Sequence, residues 1–330
     1  MDTFPKKIRF TGICATTSSL NSVATVPPPT SGCIRLKHPN HVFLYEDANS
    51  RTLVIGKFFS GISDRLPEAA FHHMEREFNN LHHLRSIGFA GYPHYIARPL
   101  GRNADLNCVL VEEFCYGTPF TSFIIKAIRE GARDALFQKL SALAYFLATM
   151  HNRTATGERV DFNRDCSYFD KIMDQLKNWG HIGWDEAEDF HRLKERWREK
   201  GFMWEDNRVL VHGDVTPPNI LFGDDSWGVI AIDLERMKPA DRVFDVGRVA
   251  GEIKHFFMRY TGDKWLAEPF IGHFLWEYAC HFPDRESSFR SITRRVPFHM
   301  GMTLLRIARN SWITGNYRRQ LLNEARKTLR

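Results

Sequence analysis

Apolar positions along the first third of the chain change period twice. From Cys33 to Phe59 the runs CIRLK, HVFLYE and TLVIGKFF are separated by His38-Pro39-Asn40 and Asp47-Ala-Asn-Ser50. Turn residues between β-branched and aromatic runs predict three short strands joined by hairpins. Over residues 67–87 the period becomes helical: Phe71, Met74, Phe78, Leu81 and Leu84 recur at steps of three and four behind an opening Pro67-Glu68. Two further strand-like runs follow, near Tyr95–Pro99 and Asn107–Phe114.

After Gly117 the pattern is mostly helical. It predicts helices at 119–130, 133–151, 165–178, 185–199, 243–260, 264–281 and 286–293, and at 299–329 with a break. A β-rich interlude, RVLVHGD, NILFG and WGVIAID, interrupts them at 208–233. The expected organisation is an irregular lead-in over 1–30 with a strand at Lys6–Ile13, a small β-rich lobe with one helix over 31–116, and a larger helical lobe over 117–330. Glu112–Gly117 forms the hinge. No internal repeat is visible.

The interlude carries the candidate chemistry. In His212-Gly-Asp214-Val-Thr-Pro-Pro-Asn219 a carboxylate precedes a carboxamide by five residues on a loop stiffened by Pro217 and Pro218. A carboxylate so placed can orient or deprotonate a hydroxyl, and the amide oxygen can hold a metal ion. The apolar run WGVIAID ends on Asp233, fourteen residues past Asn219. A hairpin of that length returns Asp233 to Asn219, giving two oxygen ligands suited to Mg²⁺ that stays partly hydrated.

The segments HGDVTPPN, VIAIDLE and FDVGRVA resemble the aminoglycoside phosphotransferase and choline kinase group of the protein-kinase-like fold. Val54-Ile-Gly-Lys57-Phe looks like its lysine-bearing strand. Glu75-Arg-Glu77-Phe-Asn-Asn-Leu81 resembles its glutamate helix, and Leu143–His151 is similar to the helix before its catalytic loop. The resemblance covers about 31 to 256 and is strongest over 211–248.

It implies an α+β, two-lobed protein-kinase-like fold and an ATP- and Mg²⁺-dependent kinase acting on a hydroxyl of a small molecule. Asp214 would be the catalytic base, and Asn219 and Asp233 the metal ligands. Lys57 would meet the ATP phosphates, held by Glu77, with Glu75 as its rival. The backbone of Glu112, Glu113 and Phe114 would receive adenine. His212 and Asp245 would support the loop. The chain departs from many kinases in having Leu36-Lys-His-Pro-Asn40, without glycine, where a phosphate-covering loop would lie; Lys37 and His38 are candidates to assist there. Glu235 is a second acidic residue beside Asp233. Only Leu234–Phe244 separates Asp233 from Asp245, too short for the activation segment of a regulated protein kinase.

Composition refines the acceptor. Net charge is +6, yet residues 285–330 carry eleven Lys and Arg against Glu286 and Glu324, so the remainder is slightly acidic. This tail reads either as a solvated helical surface or as attraction to an anionic acceptor or surface. The alternative functions are therefore a kinase of an anionic glycan or lipid head group, or a non-catalytic nucleotide-binding module. For a cationic acceptor, Asp185, Glu186, Glu188 and Asp189 are candidates to build an acidic pocket. No nucleic acid is expected. The paired histidines His72/His73 and His82/His83 lie too far apart on one helix to share an ion and read as a wet surface. Trp179, Trp184, Trp197 and Trp204 read as core or cleft residues. The six cysteines have no metal-site spacing and read as reduced core residues in a cytoplasmic protein.

Overall fold

A computed structural model describes residues 33–35, 41–47, 50–60, 67–225 and 227–330. The lead-in over 1–30, its strand at Lys6–Ile13, and Lys37 and His38 lie outside these residues. The chain divides into two units, the second comprising Tyr92–His94 and everything from Gly117 onward.

The first unit is built on strands β1 (Cys33–Arg35), β2 (His41–Glu46) and β3 (Leu53–Phe58), helix α1 (Pro67–Ser86), and then β4 (Ala90–Gly91), β5 (His94–Ile96), β6 (Pro99–Asn103) and β7 (Val109–Glu113). Its antiparallel sheet runs β1-β2-β3-β7-β6. The single strand expected near Tyr95–Pro99 is instead two, with a register shift between Pro99 and Gly101 where β6 pairs β7. Proline cannot donate to a ladder, and it sits at the first residue of β6, where that loss is cheapest. Helix α1 buries Ala70, Met74, Phe78, Leu81 and Leu84 on one stripe, and Glu77 lies on the same buried side.

The second unit is mainly helical: α2 (Phe120–Glu130), α3 (Arg133–Arg153), α4 (Asn163–Asn178), α5 (Trp184–Arg198), α6 (Val243–Thr261), α7 (Glu268–Ala279), α8 (Arg285–Thr293), α9 (Val296–Ala308) and α10 (Gly315–Leu329). The helix expected over 264–281 begins as a 3₁₀ turn at Trp265–Ala267, with Pro269 at the start of the α-helix proper. Proline lacks the amide needed inside a helix but tolerates its first turn. Among short strands, β8 (Thr118–Pro119), β10 (Ile220–Phe222) and β11 (Val229–Ala231) pair in the order β8-β10-β11, and β9 (Val209–Val211) pairs β12 (Lys238–Ala240). The last strand is not anticipated by periodicity, since its three residues include an exposed Pro239.

A continuous core joins Phe162, Phe169, Phe190, Trp197, Phe298, Leu304 and Leu322 from α4, α5, α9, α10 and the approach to α4. Trp197 belongs to it and Trp204 packs on it, whereas Trp179 and Trp184 are exposed. Cys108 and Cys166 are buried and Cys280 is exposed, so the expectation of core cysteines fails for Cys280. Close approach of α6 and α9 depends on two glycines one turn apart: a Cβ on Gly247 would lie 2.4 Å from His299, and one on Gly251 2.7 Å from Thr303. That contact fixes where Arg248 of α6 stands relative to Arg306 of α9.

The basic tail is not merely a solvated face. Arg295 is fully buried, pairing with Asp241 at 2.5 Å and Asp206 at 2.6 Å, while Arg319 and Arg326 both pair with Glu186. Among the described residues, no helix is long and apolar enough to cross a membrane.

Candidate active site

The loop between β9 and β10 begins with a turn that only glycine fills comfortably. Gly213 has φ +79°, and a Cβ there would meet the Arg236 carbonyl oxygen at 2.2 Å. Asp245, fully buried in the first turn of α6, accepts the backbone N–H of His212 at 2.6 Å and of Gly213 at 3.0 Å. His151 of α3 lies 3.3 Å from the same carboxylate, and its other ring nitrogen is 2.7 Å from the Tyr278 hydroxyl of α7. Burial alone would raise the Asp245 pKa; the His151 hydrogen bond and the loop amides hold it below the usual carboxylate range. His212 is buried under the loop, its Nδ1 facing the Asp214 amide at 3.4 Å.

Asp214 is thereby presented at a fixed point. Asn219 sits at the end of a 3₁₀ turn, Pro217–Asn219, and donates Nδ2 to the Asp214 carbonyl at 3.0 Å. Its Oδ1 is thus the atom left to face a cation. The β10–β11 hairpin pairs Ile220 with Ala231, and Ile232 donates its N–H to the Asn219 carbonyl at 3.1 Å. Asp233 follows at once, buried and with φ +65°, a conformation uncommon for non-glycine residues and frequent at functional positions. A carboxamide oxygen and a carboxylate brought to one end of a hairpin are a donor set suited to a hard divalent cation.

Asp214 also meets groups that the sequence reading overlooked. Arg248 Nη1 lies 2.6 Å from its Oδ1, Arg306 Nη1 3.7 Å from the same oxygen, and Arg236 Nε 3.8 Å from Oδ2. Burial would raise the Asp214 pKa, but the Arg248, Arg306 and Arg236 charges outweigh it and hold the group below the ordinary value. The available signal was Arg248, three residues after Asp245 on a helix and so on nearly the same face. Of the acidic residues expected to build a pocket, Glu186 pairs with Arg319 and Arg326, and Glu188 and Asp189 with Arg192.

In the first unit, Lys57 of β3 is buried, with Nζ 2.5 Å from Glu77 and 3.1 Å from Glu112. Glu75, the rival, pairs with Arg102 instead. The Glu112 side chain is a second partner of the lysine that the sequence reading did not identify. Backbone donors at the strand end are partly spent: Glu113 N–H bonds the Arg98 carbonyl at 3.0 Å, and Phe114 N–H the Leu53 carbonyl at 3.4 Å. Among the described residues, the amides of Cys115 and Tyr116 make no backbone hydrogen bond. The four helix histidines form no metal-holding group among the described residues.

A family model described as the phosphotransferase enzyme family matches residues 40–281. The chain belongs to that family. A comparison with curated protein sequences yields no match. Among solved structures, the chain is similar to a choline kinase from Cryptosporidium parvum, at 12% identity and TM-score 0.60, covering 90% of this chain and 88% of that one. It is likewise similar to a Plasmodium vivax ethanolamine kinase, at 16% identity and TM-score 0.58, covering 90% and 82%. The ADP-bound aminoglycoside phosphotransferase APH(2'')-Ib follows at 10% identity and TM-score 0.55, covering 91% and 93%. These likenesses establish the kinase-like fold, a small β-rich region followed by a larger helical one, and family membership makes the chain a phosphotransferase acting on hydroxyl groups.

Proposed function

We propose that this phosphotransferase moves the γ-phosphate of ATP to a hydroxyl of a small molecule. The observation that carries the reading is the rigid loop bearing Asp214, tied by two amide bonds to buried Asp245, with Asn219 and Asp233 brought together at its far end. Lys57, fixed by Glu77 and Glu112, is the proposed phosphate contact, and Cys115 or Tyr116 the proposed adenine donor. ADP bound to a structural relative supports the nucleotide assignment.

Asp214 is held ionised by its arginines, which makes it a weak base. Its role is chiefly to accept the acceptor hydroxyl's hydrogen bond through Oδ2 and aim the oxygen for in-line attack, the proton leaving late. Asn219 and Asp233 fit Mg²⁺, which when bound supplies neutralisation of phosphate charge. The remaining catalysis is positioning by side chains that the fold holds in place.

Asp214→Ala and Asp233→Ala are each expected to abolish Mg²⁺-dependent transfer from γ-labelled ATP to a trapped product. Full activity in either variant overturns the assignment. Nucleotide binding without turnover under any acceptor would support the non-catalytic alternative instead.

A further inference from the structure

Three guanidinium groups, those of Arg248, Arg306 and Arg236, meet Asp214, and a fourth, Arg309, acts electrostatically on all three. Arg248 is 2% exposed and shares Asp214 with Arg306 and Arg236. Arg306 also pairs with Glu252, and Arg236, its side chain 47% exposed, lies 3.3 Å from Glu235. Arg309, just past the end of α9, is half-buried and hydrogen-bonds only the Gln175 carboxamide; among the described residues no carboxylate pairs with it. Burial lowers its pKa, and the nearby Arg306, Arg236 and Arg248 charges add to that, with Tyr168 opposing. The Nε atoms of Arg248 and Arg306 are buried without a hydrogen-bond partner.

Such an arrangement favours a further anion. Like charges crowd one another, and buried guanidinium donors go unused. It would also repel an ammonium group brought next to Asp214, because like-charge juxtaposition costs several-fold in affinity or more. Arginine forks match phosphate and carboxylate oxygens, often bidentately.

We infer that the acceptor is an alcohol bearing an oxyanion, phosphate or carboxylate, which pairs with Arg309 and Arg236 while its hydroxyl meets Asp214. This rests on the phosphotransfer reading for the ligand's role as acceptor, though not for the existence of the anion site. It is the reverse of a site for cationic alcohols.

Isothermal titration of the full chain with inorganic phosphate, gluconate, glucose and glucosamine tests it directly. Phosphate or gluconate should bind, with affinity falling as salt rises, and glucose and glucosamine should not. Arg309→Ala should weaken the anion by about tenfold or more, and Arg309→Lys should restore part of the loss. Urea melts check that both variants remain folded. Whether phosphate or gluconate binds more tightly identifies the oxyanion. Failure of both anions to bind, preference for glucosamine, or unchanged affinity in a folded Arg309→Ala overturns the inference. Anion binding that survives while no hydroxyl compound is phosphorylated would instead remove the phosphotransfer reading and leave the site standing.

Discussion

Replacing Asp245 by Asn keeps the shape of the side chain and removes half its accepting capacity. The carboxylate takes Gly213 N–H on Oδ1, and His212 N–H and His151 on Oδ2. Asparagine has one oxygen and one NH₂. In either orientation one loop amide faces a donor at a position fully shielded from solvent. Hydrogen bonds to a charged group contribute about 1.5–3 kcal/mol each, and an orphaned buried donor costs roughly 1–3 kcal/mol. One bond lost and another weakened therefore amount to about 2–4 kcal/mol, a large share of the roughly 5–15 kcal/mol that holds a typical domain together. Urea denaturation followed by circular dichroism should show a loss of that size in Asp245→Asn. Turnover by the folded fraction should fall too, because Asp214 is no longer held in place. A change below about 0.5 kcal/mol would refute the view that these two amides anchor the loop.

Two further outcomes follow from buried charge. Lys57→Met strips the cation from between Glu77 and Glu112 and should destabilise by on the order of 3–5 kcal/mol. Urea midpoints equal to those of the wild type would contradict this. Asp165 in α4 is fully buried, and desolvation lifts its pKa from 3.8 to about 7, against the pull of Lys238. A raised folded-state pKa means stability that is present below pH 3.8 and lost as pH climbs through about 7. Asp165→Asn should consequently gain on the wild type across that window and hold a constant advantage above it. Parallel melting curves from pH 4 to pH 8 would rule that out.

Much of the scaffold could be read from periodicity because α1, α3 and α6 present long apolar stripes, and their observed ends fall within two residues of the expected ones. Short elements escaped. β12 has three residues and no alternation, and exists because β9 offers it a partner. The break expected within 299–329 is a turn at residues 309–314 between α9 and α10. At the candidate site, the order of Lys57, Asp214, Asn219, Asp233 and Asp245 was legible because each belongs to a local motif. Glu77 and Glu75 were hard to tell apart from spacing, since both lie on one helix; burial separates them, with Glu77 against Lys57 and Glu75 on Arg102. The arginines were illegible for the opposite reason. Arg306 stands some ninety residues from Asp214 in the chain, and the glycine-mediated seating of α9 on α6 brings it there.

That seating divides the molecule by origin of information. The stretch matching the family model ends at residue 281, and Arg306 and Arg309 come after it. The parts proposed to handle nucleotide and metal are encoded inside the shared stretch, whereas part of what is proposed to meet the acceptor is written in α9 and the turn beyond. Grafting the last fifty residues of a relative onto this chain, with Gly247 and Gly251 kept so that the new helix can seat, is then a route to retargeting the acceptor while leaving the phosphate-donor machinery as it stands.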